Sequence, residues 1–503
     1  SFINNVIACF SIVCFTVGVS AQSSIELVSS NASEIVVEFK IEGAQLKRLS
    51  ADNKSGIAVF VDQATPILIK GAPDLLKMTT SLSIPSQATV KIKDIEYEFR
   101  DTPNIFIFPS KGNVKRGQDI DLIDYEYGRP YSNDTLFPES VTELGVPYFI
   151  HKQRGIVLKV YPFQYNPVSK ILRAYSRIRV TLALNYDRLA PSSSSAYSNK
   201  VYESVYKQHF LNYKVDDDVS FQSSSTRYTP VGESGNMLII ANPQFVATMS
   251  DFITWKRQKG IPTELVTTSD IGGESPTDNI KPYIQNYYNT NGLTYLLLVG
   301  DRELMPTLIS SNEGGEADPL YALLSGNDSY PDIFVGRFSA ETVTELETMV
   351  ERSIDYEKNL STADTWISRA VGIGSNETFK GDNSEYDWQH IRNIRTRLSD
   401  YGYSTIYELY DGSKGGEDTS GNPSQSDLSS ILNQGVSLLN YAGHGNQYQF
   451  ETTAFSVTGV NQLTNSNKLP FIVTAGCGVG DFGGKTCFAE SWLRAVDSSN
   501  RAT

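Results

Sequence analysis

The sequence predicts a two-part protein, a mostly β first half followed by an α/β second half built on a parallel sheet flanked by helices. Three observations carry that reading. Short apolar runs, several alternating with period two, dominate residues 24–190. From Met237 onward, apolar strand-like runs alternate with amphipathic stretches of helical period. The charge also divides: residues 228–503 hold 34 acidic against 18 basic residues, and residues 1–227 hold 23 against 25. A near-neutral half and a strongly acidic half would be helped to dock by that difference.

Composition sets outer bounds. The chain has 503 residues, 40% hydrophobic and 20% charged, which excludes whole-chain disorder, a collagen repeat and a coiled coil. Its net charge of −14 argues against nucleic acid as a partner. Four cysteines and four histidines are too few for a disulfide scaffold or a multi-histidine metal site. Residues 1–21 read as an export signal: an apolar run over 6–19 ends in Val19-Ser20-Ala21. That run is too short to span a membrane, and no second run reaches spanning length. The expectation is an exported protein without a transmembrane segment, free or held at the outer cell surface. Cys9 and Cys14 would leave with the signal, so Cys477 and Cys487 remain, able to pair or to leave one thiol reactive.

The first-half strands are read at 34–41, 90–95 and 178–184, with the aromatic stretches 105–108 and 148–150 fitting the same pattern. Residues 191–227 are rich in Ser and Tyr around a short apolar patch at Phe210, and are read as a linker. The linker ends in Arg227, a single basic residue suited to a processing protease. The second half opens with strands at 237–241, 263–266, 293–299 and 334–336. Helical stretches lie at 245–259 and 279–289, and another follows with apolar Val343, Leu346, Met349, Val350 and Ile354. A second round follows, with strands at 370–373, 405–409, 436–441 and 471–475 and helices near 389–400 and 426–434. The domain plan is a signal (1–21), a β-rich segment with its linker (22–227) and an α/β segment (228–503).

In open α/β sheets the ligand crevice lies beyond the carboxyl ends of the strands. Two reactive residues fall there, His444 after the strand at 436–441 and Cys477 after the strand at 471–475. Each sits between glycines, in Gly443-His444-Gly445 and Gly476-Cys477-Gly478, which permits sharp turns and close approach of a ligand to backbone. A cysteine nucleophile needs an imidazole to hold its thiolate, and acyl transfer needs donors for the developing oxyanion. Cys477 is therefore assigned as nucleophile, His444 as proton shuttle, and the N–H groups of Gly445 and Cys477 as oxyanion donors. The plainer alternative is a core-filling cysteine beside an unrelated histidine. No Cys-x-x-Cys is present, and His151, His209, His390 and His444 are too scattered for zinc. The run 411–416 lacks the spacing of a nucleotide-binding loop, so no organic cofactor is expected.

Several motifs together carry a family resemblance: Leu297-Leu298-Val299-Gly300-Asp301, Gly326-Asn327-Asp328-Ser329-Tyr330, Val335-Gly336-Arg337-Phe338-Ser339, Tyr441-Ala442-Gly443-His444-Gly445, Gln462-Leu463-Thr464-Asn465-Ser466-Asn467 and Cys487-Phe488-Ala489-Glu490. Residues 228–503 resemble the gingipains, secreted cysteine endopeptidases that cleave after Arg or Lys and have a caspase-like catalytic fold; the arginine-cleaving type is nearest. The resemblance implies the same Cys477–His444 dyad. It further implies Glu377 as the acid orienting His444, and Asp387 as the acid at the base of an arginine pocket. The other reading of Asp387 is an N-cap of the helix that follows it. By the same resemblance, 22–227 is a prodomain that inhibits the enzyme and aids its folding, with Arg227 as the processing residue. Lys115 and Arg116 are candidates to fill the pocket. A structural calcium ion is implied too; Asp301, Asp318 and Asp328 are loop positions able to offer oxygen, but their spacing matches no calcium loop, and a cap or turn role is the plainer reading of each. The partners are then protein or peptide substrates and the chain's own prodomain.

The sequence departs from the family in three places. Gly478-Val479-Gly480-Asp481-Phe482 follows the nucleophile where the family has Val-Asn-Gly-Asp-Phe, and Asn446-Gln447-Tyr448 replaces Ser-Glu-Thr. The chain also stops at Thr503, before the family's catalytic domain would end. The competing functional reading is a secreted, non-catalytic binding or adhesion module that keeps the peptidase fold.

Overall fold

A computed structural model describes residues 23–51, 53–114, 120–186, 200–214, 235–311, 314–361, 363–377 and 385–497. The signal segment, Lys115, Arg116 and Arg227 lie outside them. The chain divides into two compact units, one of 1–80, 88–145 and 157–187, the other of 81–87, 146–156 and 188–503.

In the first unit the long strand Ile171–Tyr186 is the spine of an antiparallel sheet. It pairs with Glu34–Lys40 on one side, Val37 opposite Val180 and Phe39 opposite Ile178, and with Ala88–Thr102 on the other. Val37, Phe39, Ile178, Val180 and Leu182 are fully buried, so the period-two pattern marks the covered face. Glu38 faces the opposite way and pairs with Arg177 and Arg179. Residues 105–108 are not a strand. Pro103 and Pro109 bracket them and Asn104 takes a left-handed φ of 61°, so no ladder propagates. Single backbone bonds hold the segment, from Ile57 N–H to Phe106 and from Asp74 N–H to Phe108.

In the second unit the parallel strands form two four-stranded sheets rather than one. The first has the order Thr263–Thr267, Met237–Ala241, Tyr295–Val299, Phe334–Phe338; the second Thr405–Tyr410, Arg369–Gly374, Leu438–Ala442, Phe471–Ala475. In the first sheet, Met237, Ile239 and Ala241 join one apolar cluster with Phe252, Leu346 and Met349, while Leu238 and Ile240 join another with Ile284. Alternate residues thus serve opposite faces, each covered by helices. The second sheet is packed the same way, by Leu428 and Leu432 on one face and Ile391 on the other. Phe334, Phe471 and Val473, expected to be buried on both faces, are 41%, 65% and 47% exposed because their strands are sheet edges. A buried polar knot ties helix Phe488–Arg494 to the end of the first sheet. Glu490 accepts from Ser339 Oγ at 2.5 Å, Cys487 N–H at 2.8 Å and Arg494 at 2.9 Å.

The segment read as a linker contains a helix, Lys200–His209. Tyr202, Tyr206 and Phe210, spaced i, i+4, i+8, form one buried face. Tyr202 stacks on His151 with ring centroids 4.1 Å apart, and its hydroxyl donates to the Asp332 carbonyl at 2.9 Å. Serine-rich flanks masked that face in the sequence.

Candidate active site

Strands Leu438–Ala442 and Phe471–Ala475 run parallel, with Tyr441 opposite Thr474 and Ala442 opposite Ala475. His444 and Cys477 each follow two residues after these paired ends, on strands about 4.8 Å apart. The two loops then hold each other. Gly443 N–H donates to the Ala475 carbonyl at 3.1 Å, Phe488 N–H to the Gln447 carbonyl at 2.7 Å, and Gln447 Nε2 to the Asp481 carbonyl at 2.8 Å. Two glycines make that approach possible. A Cβ on Gly445 would stand 2.7 Å from Val479 Cγ1 and 3.3 Å from the Cys477 carbonyl oxygen, and one on Gly443 would stand 2.8 Å from the Tyr441 hydroxyl. That hydroxyl donates to the His444 carbonyl, which also accepts Glu451 N–H at 3.0 Å. Tyr441 is buried and stacked on Phe450, so the histidine loop is fastened from beneath.

The acid expected beside the imidazole stands next to it. Glu377 Oε2 lies 2.5 Å from His444 Nε2, the carboxylate largely buried and the imidazole 42% exposed. Glu377 leaves the end of strand Arg369–Gly374, neighbour to Leu438–Ala442, and Ser375 N–H donates to the Ala442 carbonyl at 3.0 Å. Three adjacent strand ends therefore present carboxylate, imidazole and thiol.

Asp387 reaches the same edge. Gly374 has no side chain, and a Cβ there would meet Trp388 Cα at 2.5 Å, so helix Asp387–Tyr401 begins against the strand end. Ser375 Oγ donates to Asp387 Oδ2 at 2.6 Å. Asp387 is the first residue of its helix and not the N-cap; Tyr386 holds that place, its N–H donating to Gln389 Oε1 at 3.0 Å.

The two cysteines are both free. Cys477 is exposed, whereas Cys487 is buried and its thiol is pushed up to about 11 by burial. Other residues that build the site escaped the sequence reading. Asp411, just past strand Thr405–Tyr410, lies near Lys414 and His444, and burial raises its carboxyl. Lys414 Nζ donates to Asn376 Oδ1 at 2.6 Å, beside Glu377. The tyrosine of Tyr441-Ala442-Gly443-His444-Gly445 was available as a signal for the loop fastening; Asp411 and Lys414 offered none.

The three aspartates considered for calcium do not share a site. Asp318 accepts two bonds from Arg337 at 2.7 Å and one from Thr307 at 2.6 Å. Asp328 accepts the Phe149 and Tyr330 N–H groups, and Asp301 accepts Leu304 N–H. Among the described residues no three His, Cys, Asp or Glu side chains gather as a metal site. Among the same residues no helix is long and apolar enough to cross a membrane.

Thiol, imidazole and carboxylate at the ends of adjacent parallel strands form a layout suited to thiol-dependent acyl transfer. The chain belongs to peptidase family C25, whose profile matches residues 231–500, and the profile of the family's propeptide matches residues 18–221. Gingipain R2 of Porphyromonas gingivalis (strain ATCC 33277) is 34% identical over 94% of the chain, and Gingipain R1 of Porphyromonas gingivalis 33% identical over 93%. The chain spans 62% of the length of the former and 46% of the latter. Two solved structures are similar at a TM-score of 0.50. One is the complex of Porphyromonas gingivalis RgpB pro- and mature domains, at 36% identity over 54% of this chain and 62% of that one. The other is the Arg-specific cysteine proteinase gingipain R (RGPB), at 37% identity over 55% of this chain and 62% of that one.

Proposed function

We propose that the protein is the secreted zymogen of a cysteine endopeptidase that hydrolyses peptide bonds after arginine, with lysine the alternative residue. The observation that carries this is the His444–Glu377 contact on the strand beside the one that leads to Cys477. Glu377 orients the imidazole, and His444 takes the Cys477 proton. The thiolate attacks the scissile carbonyl, forming a C–S bond, while N–H groups of Gly445 and Cys477 receive the oxyanion. His444 then passes its proton to the leaving amine as the C–N bond breaks. Water, deprotonated by His444, attacks the thioester and releases the carboxylate product and the free thiol.

Asp387 is the counter-charge for the substrate guanidinium, because an unpaired buried cation is costly and a carboxylate can accept it bidentately. Residues 22–227 act as the inhibitory prodomain and Arg227 as the cleavage point, which an arginine-directed enzyme can cut itself. Export through residues 1–21 completes this reading.

The test is hydrolysis of paired arginyl and lysyl peptide substrates by the full chain and by Cys477→Ala and His444→Ala. Loss of hydrolysis in both variants, with unchanged circular dichroism, is expected. Hydrolysis retained in either would overturn the dyad, and a wild-type chain with no hydrolysis would favour the binding-module reading.

A further inference from the structure

A buried ion pair in the first sheet carries no role in the chemistry above, yet it lies under the nucleophile's loop. Arg337, on strand Phe334–Phe338, is almost fully buried. It donates twice to Asp318 at 2.7 Å, and to the carbonyls of Gly300 at 2.8 Å, Met305 at 2.7 Å and Asp301 at 3.3 Å. Its guanidinium is thus immobilised within one plane, and the Phe482 ring lies with its centroid 5.1 Å from that plane's carbon. Phe482 is five residues past Cys477. Beside it, a Cβ on Gly483 would stand 2.9 Å from Glu316 Oε1, a carboxylate itself held by Arg302 at 2.9 Å. On the other side Asp481 accepts from Gln447 of the histidine loop. The segment 481–483 is therefore gripped between the first sheet and the His444 loop.

We infer that Phe482, seated on the Arg337 guanidinium, is a positioning residue that fixes the Cys477 loop relative to His444. A guanidinium over an aromatic face is attractive and directional, and more so when shielded from water. Asp318 holds the Nε and Nη2 side of the guanidinium and three carbonyls hold Nη1, so Arg337 acts as an anvil rather than a tether. Loss of the aromatic face frees 477–483 to shift against the histidine loop, and a displacement near 1 Å at a reacting centre costs about 10²-fold in rate. The inference rests on the peptidase reading, and two readouts separate the two ideas.

The experiment compares the full chain with Phe482→Leu and Phe482→Trp. It measures hydrolysis of an arginyl peptide amide after processing, and the pH profile of Cys477 alkylation by iodoacetamide, which needs no turnover. Phe482→Leu should lower kcat by about 10²-fold with KM changed less than about twofold. It should also shift the pH profile of alkylation, and Phe482→Trp should restore both. A Phe482→Leu protein with the wild-type kcat and alkylation profile overturns the inference. So does a Phe482→Trp protein no better than Phe482→Leu. If the wild-type chain hydrolyses nothing, the peptidase reading fails alone, and the alkylation profiles still decide the positioning.

Discussion

Glu377 and His444, 67 residues apart in sequence, meet at 2.5 Å at the ends of neighbouring strands. A carboxylate at Nε2 fixes the orientation of the ring and leaves Nδ1 as its other nitrogen. Glu377→Gln keeps the shape but removes the charge. Its kcat is expected to fall on the order of 10²-fold, with thermal stability little changed. Steady-state kinetics beside a melting curve checks this, and an unaltered kcat would remove Glu377 from the mechanism.

The two free thiols should react very differently. Cys477 is exposed, while Cys487 is enclosed and holds its proton up to about 11. Alkylation at pH 8 under native conditions should mark Cys477 and spare Cys487, because the thiolate is the nucleophile. Peptide mass mapping reads the outcome, and equal labelling would contradict the burial of Cys487.

Asp387 carries the specificity claim. With Ser375 Oγ donating to one of its oxygens, the carboxylate is aimed by a neighbour as well as by its helix. Asp387→Asn should reduce kcat/KM for arginyl substrates by about 10²-fold, a charge-assisted pair being lost. An unchanged preference for arginine over uncharged residues would place the pocket elsewhere.

Acid stability should show two opposed contributions around one carbonyl. His151 Nδ1 lies 3.1 Å from the Asp332 carbonyl oxygen. Burial lowers His151 from 6.5 to about 4, so between those values the unfolded chain binds the extra proton and stability rises with pH. Burial raises the Asp332 carboxyl from 3.8 to about 6, so there the folded chain binds the extra proton and stability falls as pH rises. The two largely offset each other between about pH 4 and 6. Asp332→Asn should make the melting temperature drop more steeply on acidification, and His151→Phe should flatten or reverse the drop. Melting curves at half-unit pH steps test it; parallel profiles for all three proteins would refute it.

Much of this architecture was legible because buried strands and amphipathic helices write their periods directly. The strands at 237–241, 405–410 and 438–442 and the helices that cover them fall where the pattern places them. Other features depend on partners far away in sequence. The helix Lys200–His209 looked like a linker because its buried face is tyrosine-built and flanked by serine runs. The exposure of Phe471 follows from strand order, which local periodicity does not encode. At the site, glycine-flanked His444 and Cys477 drew notice as motifs. The Arg337 seat of Phe482 did not, since nothing near either residue announces the other.

The histidine loop is divided by its glycines into a part closed to change and a part open to it. No side chain fits at Gly443 or Gly445 without displacing Tyr441 or Val479, whereas Tyr448, three residues on, projects into solvent. The loop can therefore change residue at 448 without disturbing its packing, and cannot at the two positions framing the imidazole.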